Sequence, residues 1–527
     1  MATPTGFSRA IIVITTITAA VMELLDTTIV NVALNQMSGS LGATIEDIAW
    51  VITSYAIANV IIIPMTGFLG EYFGRKTYYL TSMILFGISS YFCGASDGLW
   101  ELVFWRFIQG IGGGALLSTS QAILFDAFDP KDRGIASGLF GMGIILGPTL
   151  GPVIGGYLIE HASWEAIFYV NLPICVIATI LTLVFIEKKE GEGSHKSEIV
   201  IDYVGIVLLT VGIGSLQYVL EKGESEDWFQ SREIVIISLM AVVGLVGFVW
   251  QELTTEHPAV NLKIFRYKTF AVSTIFTMVA GFGLFTSVFI YPVLVQRING
   301  FTALETGLSL MYPTLFGVFL FPLIGKQLSK GASPIPFMAA GILIFIFYGF
   351  YSGMSTADMD RWDFFPIQAC RVIGVALLQL PLISQAVAGL TPKEYPAGIA
   401  LTNMIRQLGG AFGIALANNY ATSRAAQHRS DLMANITDVN PLFRERIAGM
   451  TNNMIAKTGD AFNAATMAYK QLDLSITKQA YLMAYLDTFR LMAMFFVFLL
   501  PLLYFLRTKK KTAEEIALAA KAAADSH

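Results

Sequence analysis

Two carboxylates, Glu23 and Asp26, stand in a run of residues otherwise apolar enough to lie in hydrocarbon. Charged groups at such depth are costly and are kept where they do something. Three residues apart, the two acids share one face of a helix. A carboxyl pair in a low-dielectric setting is a means of taking up and releasing protons near neutral pH. Glu23 has a second reading, as the residue that sets which charge a transported compound can carry. Arg106, in Leu102-x3-Arg106-x2-Gln109-Gly110-x-Gly112, is a guanidinium in a similar apolar run. It keeps its charge, so it must meet an acid, a carbonyl or water. Arg371 and Arg406 are further candidates of the same kind. Other chemistries find no support. There is no G-x4-G-K-[ST] phosphate loop, and Gly110-x-Gly112-x2-Ala115 has no strand before it. His161, His195, His257, His428 and His527 all fall in expected loops, linker or tail, so neither a nucleophile–base pair nor a metal site is expected. The chain reads as a non-enzyme without a cofactor, driven by a proton gradient.

The elements that must position these groups are membrane helices. Of 527 residues, 55% are hydrophobic and 14% charged, well below the roughly 25% charged of soluble domains. Apolar runs of about 20 residues recur about fourteen times between Ala10 and Leu506. The predicted fold class is all-α integral membrane, with about 14 transmembrane helices. Lys and Arg gather in alternate short connections: Arg75-Lys76, Lys131 with Arg133, Lys188-Lys189, Lys263 to Lys268, Lys326 with Lys330, and the tail after Arg507. By the positive-inside rule these and both termini are cytoplasmic. Met1 to Val21 lacks a small-x-small cleavage site and reads as part of an uncleaved first span. Cys93, Cys175 and Cys370 fall in spans and are expected as free thiols. A net charge of −4 gives no sign of nucleic-acid binding.

Three regions follow. Residues 1–186 form a six-helix bundle, 187–269 a polar linker and two extra helices, and 270–527 a second six-helix bundle with a cytoplasmic tail at 507–527. Pro130-Lys131-Asp132 before Ala136-Ser137-Gly138 has a weak echo in Pro392-Lys393-Glu394 before Ala397-Gly398-Ile399, as two halves related by an axis along the membrane normal would leave. The polar stretch 422–485, between the last two spans, is placed outside the cytoplasm. Leu432, Ile436, Phe443, Ile447, Met450 and Met454 are spaced as in short amphipathic helices. Such a segment could dock a periplasmic adaptor or form a lid over the chain's own substrate mouth.

The fifth span carries Gly134-x8-Gly143-x3-Gly147-Pro148-x2-Gly151-Pro152-x2-Gly155-Gly156. Gly143, Gly147, Gly151 and Gly155 form a strip onto which another helix can pack backbone to backbone. Pro148 and Pro152 fix a bend, and a bent, sealed helix suits a gate. Gly67-x-Leu69-x-Glu71-x2-Gly74-Arg75-Lys76 joins spans two and three. With Arg133 it offers an acid and bases for a cytoplasmic charge lock; the second-half run at Gly325 to Lys330 lacks the acid, so a one-sided lock is expected. Asn59, Gln121, Phe282, Phe285, Phe289, Tyr291, Tyr312, Gln379 and Gln385 could line a wide cavity for apolar compounds.

These runs resemble motifs of the major facilitator superfamily. The glycine–proline run resembles the fifth-helix motif of its drug:proton antiporters. Leu25-Asp26-x-Thr28-Ile29-Val30-Asn31 resembles the first-helix motif of the fourteen-spanner branch, and Trp164-x3-Phe168-x2-Asn171-Leu172-Pro173 agrees with its EmrB-like members. The resemblance implies a coupling role for Asp26 and a tuning role for Arg106. It also implies multidrug efflux across a Gram-negative inner membrane, with a periplasmic adaptor and an outer-membrane channel as partners. The tenth span has no central acid, and Glu305 lies at its outer end, so neutral or weakly acidic hydrophobic substrates are expected. Dedicated export of a fatty acid, siderophore or similar amphiphile would leave the same motifs. A proton-coupled symporter fits the fold but less well the sealed gate.

Overall fold

Long apolar segments punctuated by Gly, Pro and short polar connections can satisfy their backbone groups in a bilayer only as helices. The computed structural model describes residues 6–129, 132–187, 201–388, 390–391, 394–434, 436–437 and 440–506. The 187–198 linker beyond Glu187, the tail after Leu506, Pro130-Lys131 and Pro392-Lys393 lie outside the described residues. No strand occurs among the described residues.

In chain order the long helices are α1 (Gly6–Leu41), α2 (Trp50–Phe73), α3 (Arg75–Gly94), α4 (Leu99–Asp126) and α5 (Arg133–His161). They continue with α6 (Ala166–Phe185), α7 (Tyr203–Lys222), α8 (Arg232–Thr254), α9 (Lys268–Asn299) and α10 (Ala303–Ser329). The last are α11 (Pro334–Ser352), α12 (Arg361–Ala388), α13 (Tyr395–Met433) and α14 (Ala464–Leu506). Twelve of these are long and apolar enough to cross a membrane. The other two, α3 and α4, are long enough but more polar, because they turn Ser89, Ser90, Arg106, Gln109 and a run of glycines into the protein. The chain is a multi-pass membrane protein.

Within the first six helices, α1 packs along α5 and α2 along α4; among the last six, α9 packs along α13 and α11 along α12. The two sets meet where α5 crosses α10 and where α2 crosses α13. Helices α7 and α8 pair with each other, and α7 leans on α2. Val242, Val243, Val246 and Trp250 of α8 are exposed, as on a lipid-facing helix.

The stretch 422–485 differs from the expectation of short amphipathic helices. Its first part, to Met433, continues α13, and its last part, from Ala464, already belongs to α14; one separate helix, Pro441–Thr458, lies between them. The polar residues there lengthen the spans instead of interrupting them. Arg424, His428 and Arg490 converge on Asp487, with Arg424 Nη2 at 2.7 Å and His428 Nε2 at 2.9 Å, and Arg429 pairs with Asp473 at 2.6 Å. These pairs clamp α13 to α14.

Candidate functional site

Helix α1 carries Asp26 into the middle of the first bundle, where it is fully buried. Arg106 Nη1 of α4 donates to its Oδ2 at 2.5 Å. Its Oδ1 accepts from Asn171 Nδ2 of α6 at 2.9 Å and from Gln109 Nε2 at 3.2 Å. Ser90 Oγ of α3 accepts from both Gln109 and Asn171 at 3.1 Å and donates to the Phe168 carbonyl at 2.9 Å. Arg106 is held in turn by the Gln109 amide oxygen at 2.6 Å, the Val51 carbonyl at 3.1 Å and the Tyr55 ring, 4.1 Å below the guanidinium. The result is a closed ion pair braced by hydrogen bonds from α2, α4 and α6, with Ser90 of α3 behind them, the kind of setting in which buried charges are tolerated.

One turn earlier on α1, Glu23 points the other way, toward α2 and α13. Its Oε1 accepts from Asn59 Nδ2 at 2.9 Å, while Oε2 is buried without a partner. Arg406 of α13 lies within electrostatic reach of Glu23, and its Nε and Nη2 are buried without hydrogen bonds. Glu23 and Asp26 thus take different hydrogen-bond partners but stay within electrostatic reach of each other, with Tyr55, the ring beneath Arg106, next to both.

The glycine strip is applied to this same stretch of α1. A Cβ on Gly143 would meet Ile17 and Val21; on Gly147, Leu24 Cβ at 2.5 Å; on Gly151, Thr28; on Gly155, Ile29. The strip therefore seats α5 on the two turns of α1 that carry Glu23 and Asp26. Pro148 and Pro152 are buried inside α5 between these contacts. Contact with the second bundle is made by other residues of α5. Gly134 lies against Gly325 and Ser329, Gly138 against Phe321, and, among the expected gate residues, Gly156 against Ala303 and Leu304.

The expected charge lock is corrected in its acid. Arg75 pairs with Asp126 at the end of α4, not with Glu71, and Lys76 Nζ donates to the Leu183 carbonyl at 2.8 Å. Arg133 lies over the Tyr395 ring at 4.4 Å, reaching across to α13. Gly67 packs on Ala397, and Gly74 takes a positive φ of 84° at the tight turn between α2 and α3. A second ion pair, Arg266 with Glu394 at 3.3 Å, ties the inserted region to the start of α13 and does not involve the Gly325-to-Lys330 run. Glu394 is held below its ordinary value, first by the Thr391 N–H and then by the Thr391 hydroxyl, Tyr267 and Arg266.

The residues expected to line a cavity are placed as follows. A cavity of about 700 Å³ is lined by Glu71, Arg75, Ser118, Asn261, Arg266 and Glu394 among others, and by none of the nine residues expected to line one. Asn403 Nδ2 of α13 donates to Ser118 Oγ and to Gln121 Oε1, both at 3.1 Å, tying the bundles together. Phe282 packs on Phe495 at 4.6 Å, and Phe285 lies against Gly410. Phe289 is half-buried, and Gln379 and Gln385 are buried on α12. Tyr291 donates to Ser309 Oγ at 2.8 Å inside the second bundle. Tyr312 faces outward, stacked on the exposed Trp362 at 5.8 Å, because its span is apolar on several faces and gave no direction.

Sequence reasoning assigned no role to Gln109, Asn171, Ser90, Asp126 or Asn403. Gln109 and Asn171 stood inside quoted motifs, which was a signal. Asp126 and Asn403 find their partners only through the fold.

Comparison with known proteins gives the family. The family model described as Major Facilitator Superfamily matches residues 16–414. The chain is 33% identical to the multidrug export protein EmrB of Haemophilus influenzae, over 92% of this chain and 93% of that one. It is 34% identical to the Escherichia coli K12 protein of that name, over 83% and 85%. It is 31% identical to the fatty acid resistance protein FarB of Neisseria gonorrhoeae, over 92% and 94%. Among solved structures, the human organic anion transporter MFSD10 aligns with a TM-score of 0.58 at 14% identity, covering 95% of this chain and 99% of that chain, a likeness of fold.

Proposed function

Because this chain belongs to the major facilitator superfamily, we propose that it exports hydrophobic drugs or toxic compounds in exchange for protons, by alternating access. The observation that carries the reading is the buried Asp26–Arg106 pair, a charge that one proton can cancel, pressed by the glycine strip against the helix that crosses into the second bundle. In this scheme residues 1–186 and 270–527 rock against each other, with 187–269 inserted between them. Protonation of Asp26 frees Arg106 and loosens α1 from α4. Glu23, across from Arg406, reports the event to the second half. The ring of Arg75–Asp126 and Arg266–Glu394 pairs is the charge lock that opens and closes with the cycle.

The names of the relatives support multidrug export, and FarB supports a second reading, dedicated export of a fatty acid or similar amphiphile. We place the chain in a bacterial inner membrane with both termini cytoplasmic. The projecting 422–485 region then faces the periplasm. Leu442 and Phe462 there are 73% and 92% exposed, which favours docking of an adaptor that leads to an outer-membrane channel over a lid.

The test is reconstitution in liposomes with a trapped pH dye. A panel of hydrophobic weak acids, fatty acids, neutral compounds and lipophilic cations is added, and wild type is compared with Asp26→Asn. Substrate-driven proton movement lost in the variant supports antiport; equal movement in both would sink it.

A further inference from the structure

Among the described residues three arginines are buried: Arg106, Arg371 and Arg406. Arg106 has Asp26 and Arg406 has Glu23 within reach. Arg371 has no carboxylate paired with it among the described residues, and the groups within its electrostatic reach are the hydroxyls of Tyr348 and Tyr291. A guanidinium does not lose its charge, and an uncompensated one in a low-dielectric core is untenable. Its counter-charge must be supplied.

The surroundings of Arg371 resemble those of Arg106 in helix position and in a glutamine three residues away, and lack the acid. Arg106 sits on the fourth helix of the first bundle and bonds Gln109 three residues away at 2.6 Å; Arg371 sits on the fourth helix of the second and bonds Gln368 three residues away at 2.7 Å. The third helix of each bundle adds hydroxyls, Ser90 in the first and Tyr348 and Ser352 in the second. The first helix adds Asp26 in the first bundle and, in the second, Ser287. Around Arg371, its own Nη2 is buried without a partner, and Gln368 Nε2, Tyr348 Oη and Ser352 Oγ, which lie within reach of one another, are buried without a well-formed hydrogen bond. Each of the four can donate a hydrogen bond.

We propose that the second bundle holds a small monovalent anion of halide size at Arg371, with Gln368, Tyr348 and Ser352 completing its shell, in the place that Asp26 occupies in the first bundle. One cation calls for one negative charge. Complete burial among Phe345, Phe364 and Phe489 favours a stripped small ion over the headgroup of a long amphiphile. The ion is structural: it neutralises Arg371 and cross-links α11 and α12, whatever the protein exports.

The full-length protein in detergent is exchanged into sodium gluconate and titrated with sodium chloride or bromide at constant ionic strength, following the thermal midpoint. Wild type should gain several degrees, saturably, with either halide. Arg371→Gln should show no gain. Ser287→Asp, which places a carboxylate within reach of Tyr348 at this site, should be stable in gluconate and indifferent to halide, and so reports on the site even where Arg371→Gln folds poorly. A wild-type midpoint equal in gluconate and halide would overturn the proposal. So would a Ser287→Asp variant that responds to halide as wild type does, or a midpoint raised by decanoate and not by chloride, which would give the site to cargo.

Discussion

Gly147 of α5 and Leu24 of α1 are in backbone-scale contact: a methyl group on the glycine would stand 2.5 Å from Leu24 Cβ and 3.1 Å from the Val21 carbonyl. No side chain fits there while α1 keeps its position. Overpacking of this kind costs about 1–3 kcal/mol. Gly147→Leu should therefore reach the membrane, since the fold has reserves elsewhere, and lose most of its efflux. Gly147→Ala should lose less. Surface labelling for membrane delivery and efflux of a fluorescent substrate check this; full efflux in the Leu variant would mean that the strip does not hold α1.

Arg75 and Asp126, far apart in sequence, close the end of α4 onto the turn before α3. As a partly exposed pair it should contribute only ~0.2–1 kcal/mol. Arg75→Asp and Asp126→Arg should each impair transport cycling more than thermal stability, and the double swap should restore at least half of the lost rate. A swap no better than the single variants would argue that the two residues act separately.

The Glu394 carboxylate lies outside the spans and is held below its ordinary value of 4.5. A group whose pKa is lowered on folding contributes stability above its unfolded value and loses it as pH falls through the lowered one. The amide of Thr391, which donates to Glu394 at 3.0 Å, should keep its hydrogen-exchange protection above the ordinary carboxyl value and lose it as pH falls through the lowered one. Glu394→Gln should show reduced protection at every pH and no such step.

Asp487 accepts from Arg424 and His428 and ties α13 to α14 beyond the packed core. Asp487→Ala should cost on the order of 1–3 kcal/mol locally by orphaning those donors. Limited proteolysis should then cut between Met433 and Ala464 several-fold faster, with the spans intact. Unchanged cleavage would show the clamp to be redundant.

The groups that could be read from the chain are those whose presence is expensive. Asp26 and Arg106 stand out because a charge in an apolar run demands a partner, and each proved to be the other's. Gln109 and Asn171, which complete the site, are neutral amides of a kind found throughout membrane bundles as packing, so composition could not single them out. The glycine spacing identified a strip but not its partner: the same face could have met the other bundle, and it meets α1. Asp126 could not be chosen over Glu71 as the mate of Arg75, since local proximity favours the acid four residues away and only the return of α4 brings the other one close. Tyr312 was misplaced because hydropathy says how deep a residue lies and not which way it points.

Helix α13 runs unbroken for 39 residues, about 58 Å, nearly twice the ~30 Å of hydrocarbon it crosses. Braced by its clamp to α14, it is a lever with one arm in the membrane and one in water. If the second bundle rocks by about 15°, the scale of rigid-body switching elsewhere, the tip ~28 Å outside the hydrocarbon sweeps ~7 Å sideways. That displacement exceeds the width of a side chain, so a protein gripping the tip would feel each stroke of the pump as a mechanical signal.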